Sequence, residues 1–319
     1  MEKIELGNTG LMVTKIGFGV LVMGRNQLNL PVKEGAEVLR YALEAGINFL
    51  DTAQYYETYP YIKEALKDHT FDPVIASKCL DPSYSQMKFA VEEARREMDR
   101  DVIDIFMLHE VRSKEDFLQR TGAWEYLQEA KSKGIVKAIG ISTHHIDVAL
   151  MTAEIPQADV LFPIINFRGM GIRKGDKAGS KEEMAQAIEK NHRNGKGVFA
   201  MKVFGGGPLA GHYHEALNYV AGLTGIDSIM IGFGHKREVD PIIQYLNGSL
   251  TEDYSPDLSG KRIFIDQGDC EGCGDCISRC PNHAIYRNTN GLAEIDYTVC
   301  LNCGYCAPVC PVRAIIMIG

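Results

Sequence analysis

Short apolar runs alternate with amphipathic segments along the chain up to about residue 250. Segments of helical period lie between and after the runs, as in VKEGAEVLRYALEAG, SQMKFAVEEARREMDR and KREVDPIIQYLNG. The runs typical of buried strands are IGFGV, INFLD, PVIASK, VIDIFMLH, IVKAIGIS, ADVLFPIIN, GVFAMKVF and IDSIMIGF. Eight strands, each followed by a helix, predict an α/β fold, a (β/α)8 TIM barrel over residues 1–253, with a hairpin in MEKIELGNTGLMVTK before it. A doubly wound open sheet is the alternative, which the strand count and the lack of an early G-x-G-x-x-G disfavour.

The pattern changes at Tyr254, where YSPDLSGKR has the composition of a linker. A repeat of thirty residues follows it. The residues that recur thirty positions later are Ile265, Asp266, Cys270, Pro281, Ala284 and Ile285. The repeat predicts a second domain over residues 254–319, built from two half-domains related by a pseudo-two-fold axis.

Composition and charge exclude several classes of protein. The 319 residues are 45% apolar and 24% charged, as in ordinary globular proteins. The net charge of -8 argues against nucleic acid or an anionic membrane as the main partner. The apolar runs are shorter than the ~20 residues that cross a bilayer, and MEKIELGNTG lacks the apolar core of a secretory signal. We therefore expect a cytoplasmic protein.

Eight of the nine cysteines lie in two matching stretches, CEGCGDCISRCP and CLNCGYCAPVCP. A disulfide framework would require an exported protein, so metal or cluster binding is the better interpretation. Zinc usually takes two C-x-x-C pairs, which leaves four cysteines per half and the trailing prolines unexplained. The ninth, Cys79, follows a strand and is expected to be a buried small hydrophobic residue.

Each stretch reads C-x-x-C-x-x-C-x-x-x-C-P, and in this the segment resembles a two-cluster bacterial-type ferredoxin, a small α+β domain. The resemblance implies two 4Fe–4S clusters and one-electron transfer at low potential. In this pattern the fourth cysteine of each run binds the cluster of the other half. One cluster is thus assigned Cys270, Cys273, Cys276 and Cys310, and the other Cys300, Cys303, Cys306 and Cys280. A purely structural role for the clusters in so small a domain is the alternative.

Polar residues stand at the ends of several predicted barrel strands, where the chemistry of such barrels is located. They are Asp51, Lys78, His109, Ser142 and Thr143. An acid, an amine and an imidazole on adjacent strands, with the phenols of TAQYY close behind, predict a site for proton transfer.

The stretches LGNTGLMVTKIGFG, FLDTAQYY, IASK, FMLHE and VKAIGIS resemble the aldo-keto reductase family, over about residues 3–245. The resemblance implies a catalytic tetrad of Asp51, Tyr56, Lys78 and His109, with Tyr56 giving a proton to the alkoxide left by hydride transfer. Because a free tyrosine has a pKa of about 10, we expect the Lys78 ammonium to lower the pKa of Tyr56. Asp51 is expected to orient the lysine, and His109 to polarise the carbonyl. Glu57 stands where many members have glycine.

The resemblance also implies NADPH bound across the rim, with NADH or a flavin as alternatives. The predicted cofactor-binding residues are Ser142, Thr143, Gly205, Gly206, Gly232, Gly234, Lys236 and Arg237. Lys236 and Arg237 are expected to meet a 2′-phosphate at a helix N-terminus. The chain departs from the family at Thr143, where asparagine is usual. It also has Met201 where the family usually has an aromatic residue that stacks on the nicotinamide. Phe162 or Asn166 stands where the family usually has a glutamine.

Two further stretches carry candidate chemistry. The basic loop NFRGMGIRKGDKAGS is interpreted either as a lid that grips an anion through Arg168, Arg173 and Lys174, or as a solvated loop. In STHHID, helix capping explains His144 and His145 better than a metal site does.

Three functions are compatible with the sequence. The first is an NADPH-linked reductase of a small carbonyl compound, or dehydrogenase of an alcohol, with clusters for electron transfer. The second is a flavin- or ferredoxin-linked electron-transfer enzyme, since clusters move one electron and nicotinamide moves two. The third is a non-enzymatic electron carrier whose barrel has lost its catalytic activity, and the intact tetrad disfavours it. The clusters also suggest a redox protein as partner.

Overall fold

The computed structural model describes residues 1–256 and 262–318 of the chain. The strands of the first range are β1 (Lys3–Glu5), β2 (Met12–Thr14), β3 (Ile16–Gly19), β4 (Phe49–Asp51), β5 (Val74–Cys79), β6 (Ile103–Leu108), β7 (Val136–Thr143), β8 (Val160–Pro163), β9 (Arg173–Lys174), β10 (Lys177–Ala178), β11 (Gly197–Ala200) and β12 (Ser228–Ile231). Its α-helices are α1 (Val32–Glu44), α2 (Tyr59–Leu66), α3 (Tyr84–Met98), α4 (Lys114–Gln119), α5 (Thr121–Ser132), α6 (Ile146–Ala153), α7 (Lys181–Arg193), α8 (Tyr213–Ala221) and α9 (Lys236–Leu246).

Eight parallel strands close a barrel in the order β3, β4, β5, β6, β7, β8, β11 and β12, with β12 paired to β3. Each of the eight runs predicted as strands overlaps one of these barrel strands, so the predicted (β/α)8 barrel is confirmed. Because all eight strands run the same way, their C-terminal ends share one rim.

The N-terminal end of the barrel is closed by the predicted hairpin, in which β1 pairs antiparallel with β2. Leu6, Leu11 and Val13 of this hairpin pack with inward-facing barrel residues, among them Phe49 and Phe199. The rings of Phe49 and Phe199 lie 5.0 Å apart, edge to face. With this end filled by apolar side chains, the opposite rim is where a ligand can enter.

The helices outside the barrel each bury one face. Helix α1 buries Leu39 and Ala42 on one face, as its apolar period predicts. Helix α3 begins at a serine cap, where Ser83 Oγ accepts a hydrogen bond from the Gln86 N–H at 3.2 Å. In the part of the chain that the structure describes, every helix is too short or too polar to cross a bilayer.

The second range forms a small ferredoxin-like domain. It contains β13 (Arg262–Ile265), α10 (Asp275–Arg279), β14 (Ile285–Arg287), β15 (Ala293–Ile295) and β16 (Ile315–Ile318), and both of its strand pairs are antiparallel.

The thirty-residue repeat is visible in the backbone hydrogen bonds of this domain. The Asp266 N–H donates to the Ala314 carbonyl and the Asp296 N–H donates to the Ala284 carbonyl, both at 2.8 Å. Each half therefore donates the same backbone hydrogen bond to the other half, as expected for two repeats that pair within one domain. Of the predicted linker, residues 257–261 lie outside the described residues.

The ferredoxin-like domain packs tightly against the barrel rim. Leu301 is buried and belongs to the same apolar cluster as the barrel residues. A Cβ at Gly206 would lie 1.8 Å from the Leu301 carbonyl oxygen, and one at Gly304 would lie 1.8 Å from the Asn26 carbonyl oxygen. Glycine is thus required at both positions for the two backbones to approach this closely.

Candidate active site and cysteine centres

A cavity of about 480 Å³ opens at the C-terminal rim of the barrel. Strand ends and the loop around Phe204 form most of its wall, and Tyr254 and Pro256 cover one side. The ferredoxin-like domain closes the rest of the wall with Pro281, Asn302, Cys303 and Tyr305. All four residues of the predicted tetrad, Asp51, Tyr56, Lys78 and His109, line this cavity.

Lys78 and Asp51 form a buried ion pair at the ends of β5 and β4. Lys78 Nζ lies 2.8 Å and 3.0 Å from the two Asp51 oxygens and donates to the Thr52 carbonyl at 2.6 Å. The three ammonium hydrogens are thereby satisfied within the chain. The same nitrogen lies over the Tyr56 ring, 4.7 Å from its centroid.

Tyr56 ends a 3-10 turn, Gln54–Tyr56, that directly follows β4. The next residue, Glu57, has φ +55°, a conformation that favours glycine and accounts for the usual residue of the family there. Burial, and next the Asp51 charge, raise the pKa of Tyr56 well above its usual value. The expected lowering of this pKa by Lys78 is therefore wrong, because Asp51 neutralises the lysine and water is excluded from the phenol.

His109 is neutral in this site, since burial, and next the Lys78 charge, hold its pKa well below the usual range. Its Nδ1 is buried without a hydrogen-bond partner among the described residues. An unpaired acceptor is less costly than an unpaired N–H, so we assign the proton to Nε2. His109 then donates from Nε2 into the cavity.

Tyr305 is the site residue that the sequence analysis missed. Its hydroxyl lies 2.9 Å from Tyr56 Oη and 3.0 Å from His109 Nε2, and those two atoms are 3.3 Å apart. The available signal was an aromatic residue inside the second cysteine loop, GYC, where the first loop carries Asp275. Only the docking of the two domains shows which phenol this residue reaches.

The predicted nicotinamide-binding residues divide into two groups. Ser142, Thr143, Gly206 and Gly232 line the cavity. The two hydroxyls are already bonded, Ser142 Oγ to the Glu110 N–H at 2.9 Å and Thr143 Oγ1 to the Val111 carbonyl at 2.6 Å.

Gly205, Gly234, Lys236 and Arg237 lie outside the cavity wall that the described residues form. Lys236 pairs instead with Glu37 at 3.2 Å. At the start of α9 the Gly234 N–H donates to a Glu238 oxygen at 2.6 Å, and Glu238 itself lines the cavity. The chain's own carboxylate therefore stands at the helix terminus where a phosphate was expected.

The residues where the chain departs from the family have different positions. Phe162 and Met201 line the cavity, and the Phe162 ring stacks on Phe199 at 4.3 Å. Asn166 instead fastens its own loop, exchanging two bonds of 2.9 Å with the Met170 backbone.

The other candidate residues have structural partners. Arg173 and Lys174 form β9, which pairs antiparallel with β10. Lys174 also pairs with Glu183 of α7 at 2.5 Å, and Arg168 lies against Phe167. None of these three basic residues lines the cavity among the described residues, so the geometry gives the lid interpretation no support.

The two histidines and the ninth cysteine are not grouped as a metal site among the described residues. His145 precedes α6 without a side-chain capping bond, which corrects the capping interpretation, and His144 Nδ1 meets Asn282 Oδ1 at 3.3 Å across the domain interface. Cys79 is buried, as expected.

The eight cysteines of the ferredoxin-like domain form two sets. The first cysteine set, Cys270, Cys273, Cys276 and Cys310, surrounds one small cavity. In the second cysteine set, Cys280, Cys300, Cys303 and Cys306, burial and then the charges of the other three raise the pKa of Cys306, so these thiols lie within electrostatic range of one another.

These two sets are the ligand groups expected from the repeat. Across residues 1–256 and 262–318, no three Cys, His, Asp or Glu side chains are grouped closely enough for one metal ion.

Comparison with known proteins agrees with both parts of the chain. The sequence matches the Aldo/keto reductase family over residues 15–253 and a 4Fe-4S dicluster domain over residues 269–314. It is 30% identical over 165 residues to the L-galactose dehydrogenase of Arabidopsis thaliana and 27% identical over 158 residues to the uncharacterized oxidoreductase YqkF of Bacillus subtilis. These alignments cover 46% and 45% of this chain, and the chain spans about half the length of these curated relatives, 51% and 49%.

Solved structures show the same fold. A putative aldo-keto reductase of Pseudomonas aeruginosa has a TM-score of 0.65 at 22% identity, covering 78% of this chain and 96% of its own. The Bombyx mori aldo-keto reductase in complex with NADP has a TM-score of 0.59 at 16% identity, covering 78% and 89%. Since the family match covers most of the chain and the barrel carries the tetrad at its rim, the chain belongs to the aldo/keto reductase family.

Proposed function

We propose that this oxidoreductase reduces a small carbonyl compound, or oxidises the corresponding alcohol, with Tyr56 as the proton donor or acceptor. The observation that carries the proposal is that Tyr56 Oη and His109 Nε2 both bond one oxygen, at 2.9 Å and 3.0 Å. In the structure this oxygen belongs to Tyr305, and a substrate carbonyl oxygen needs the same two partners. We call this position the oxygen site.

The protonation states suit reduction of a carbonyl. A phenol with a raised pKa is protonated at neutral pH, so Tyr56 holds the proton that an alkoxide, a stronger base, takes up. Neutral His109 donates its Nε2–H to the same oxygen and polarises the carbonyl before the reaction. Lys78 and Asp51 act as positioning residues, because their ion pair fixes the wall against which the Tyr56 ring lies.

The cavity fits a planar redox cofactor beside the oxygen site. From the tetrad it extends past Met201 and Gly232 to the rings of Phe204, Tyr213 and Tyr254. Bound there, a nicotinamide dinucleotide would supply hydride, with Ser142, Thr143, Gly206 and Gly232 along its path.

The two cysteine sets fit two 4Fe–4S clusters, and such clusters supply one-electron transfer when bound. Cys303 of the second set lines the same cavity as Tyr56, while Cys273 of the first set is exposed. This arrangement suits electron exchange between a redox protein at the surface and the barrel cavity, in a reducing compartment such as the cytoplasm.

We place the boundary between the barrel and the ferredoxin-like domain near residue 254.

A flavin in the cavity is the second candidate, and the position of Cys303 favours it. Nicotinamide transfers two electrons as hydride, whereas a cluster accepts one, and a flavin handles both. A flavin released by denaturing the anaerobically purified protein, seen as yellow fluorescence, would decide for this candidate.

The test is carbonyl reduction by the anaerobically purified holoprotein, with NADH and NADPH titrated separately over a panel of small aldehydes and ketones. Tyr56→Phe should lower kcat/KM by roughly 10²–10⁴-fold, the contribution of a positioned acid. Tyr297→Phe is the matched control, because Tyr297 is an exposed tyrosine of the ferredoxin-like domain. Equal activity of Tyr56→Phe and the control would contradict the proposed role of Tyr56.

A further inference from the structure

Among the described residues of the ferredoxin-like domain, only Tyr305 bonds two members of the tetrad. Its hydroxyl completes a triangle with Tyr56 Oη and His109 Nε2, whose sides are 2.9 Å, 3.0 Å and 3.3 Å. Tyr305 is 8% exposed, and it lines the cavity together with Cys303. The oxygen site is therefore filled by the chain itself.

The backbone of Tyr305 is held in place from several sides. Tyr55 Oη donates to the Tyr305 carbonyl at 3.0 Å, and the preceding Gly304 packs against the Asn26 carbonyl. The Arg279 guanidinium lies 4.7 Å from the Tyr305 ring centroid and bonds Glu110 at 3.1 Å. The Tyr55 and Gly304 contacts fix the main chain, so the hydroxyl can leave the oxygen site only if the side chain rotates and its ring moves off the Arg279 guanidinium.

We propose that Tyr305 is a specificity-determining residue of the barrel site, contributed by the ferredoxin-like domain. Its hydroxyl competes with the ligand oxygen for Tyr56 and His109, so a ligand binds only when the Tyr305 ring turns aside. This inference rests on the proposed function, because it assigns the same oxygen site to the substrate. Ligands must then offer an oxygen that bonds both partners better than a phenol does.

The inference also links the cavity to the second cysteine set. Tyr305 lies in the sequence between Cys303 and Cys306, which both belong to that set. A ring that turns aside changes the surroundings of these two thiols. Ligand binding in the barrel should therefore be detectable at the cluster that they hold, and not only in the barrel.

The first experiment measures the binding of benzamide to the holoprotein by titration calorimetry. Benzamide carries a neutral carbonyl oxygen that is not reduced, so the measurement does not depend on turnover. Tyr305→Phe removes the hydrogen bonds that hold the ring over the site and should bind benzamide about tenfold more tightly than the wild type, equal to about 1.4 kcal/mol. Tyr305→Ala should bind at least as tightly, and Tyr297→Phe should match the wild type.

The second experiment records the EPR spectrum of the reduced holoprotein with and without benzamide. The spectrum of the wild type should change on binding, whereas that of Tyr305→Ala should not, once iron and sulfide assays show intact clusters. Equal affinity of the wild type and both Tyr305 variants, including no binding by any of them, overturns the inference. An EPR change that persists in Tyr305→Ala overturns it as well.

The two proposals fail in distinguishable ways. If Tyr56→Phe loses turnover but Tyr305→Phe does not tighten benzamide binding, the proposed function stands and the inference is wrong. If Tyr305→Phe binds benzamide more tightly but the wild type reduces no carbonyl compound, the inference that Tyr305 competes for the oxygen site stands and the proposed reaction is wrong.

Discussion

Replacing Gly304 by alanine should loosen the contact between the two domains. Gly304 has φ +77°, so alanine there costs roughly 1 kcal/mol of backbone strain. Its Cβ would lie 1.8 Å from the Asn26 carbonyl oxygen and 2.8 Å from the carbonyl carbon, which are main-chain atoms that cannot rotate away. Such overpacking typically costs about 1–3 kcal/mol. Because opening relieves the overpacking but not the strain of the positive φ, the opening equilibrium of the interface should rise by roughly 5-fold to 150-fold.

Gly291 provides the matched control for this substitution. It also has φ +77°, but a Cβ there would meet nothing within 4 Å, so Gly291→Ala isolates the backbone strain. Hydrogen exchange followed by mass spectrometry on the anaerobic holoprotein reports opening at residues 20–30, where the Leu28 N–H donates to the Val22 carbonyl. Exchange in this segment should rise in Gly304→Ala and stay at the wild-type rate in Gly291→Ala. Equal exchange in the two variants would refute the reasoning about the domain contact.

Three further substitutions test the ligand sets, the ion pair and the pH dependence. Cys280→Ser should halve the iron content and remove the EPR signal of the cluster that Cys303 binds, because the fourth cysteine of each run is assigned to the cluster of the other half. Loss of the other cluster's signal would contradict this assignment. Lys78→Met leaves a buried carboxylate and should lower the free energy of unfolding by about 3–5 kcal/mol in urea titrations, with much of it recovered when Asp51→Asn is added. Burial lowers the pKa of His144 to about 4 from 6.5, so the unfolded state takes up a proton first as the pH falls. His144 therefore contributes full stability above about pH 6.5 and loses about 2 kcal/mol of it by pH 5. In urea titrations, the fall in the free energy of unfolding from pH 7 to pH 5 should be about 2 kcal/mol smaller in His144→Asn than in the wild type. An equal fall in the two proteins would contradict the role of His144.

The features predicted correctly from the sequence are those set by interactions between residues close together in the chain. The strand runs that contain β4, β5 and β6 were recognised because a buried parallel strand needs an apolar run, and that requirement is local in sequence. Since the strand count then implies a closed barrel, the rim positions of Asp51, Lys78 and His109 followed directly.

Expectations that depended on packing between distant segments were less successful. The pKa of Tyr56 rises because burial outweighs a lysine whose charge Asp51 has already neutralised, and burial is not encoded in the order of residues. At α9, the position of Glu238 beside the Gly234 N–H changed the expectation for Lys236. Both outcomes depend on which side chains compete for the same partner.

By itself, the sequence determined the barrel, the duplicated cysteine domain and the residues at the strand ends, because periodicity and spacing are properties of single segments. Only the tertiary structure decided that Tyr305 reaches Tyr56 and that Cys303 lines the barrel cavity. These contacts join residues about 250 positions apart, through two glycines that let one backbone touch another. Shape complementarity of this kind arises when both surfaces have folded, and no local pattern in either segment records it.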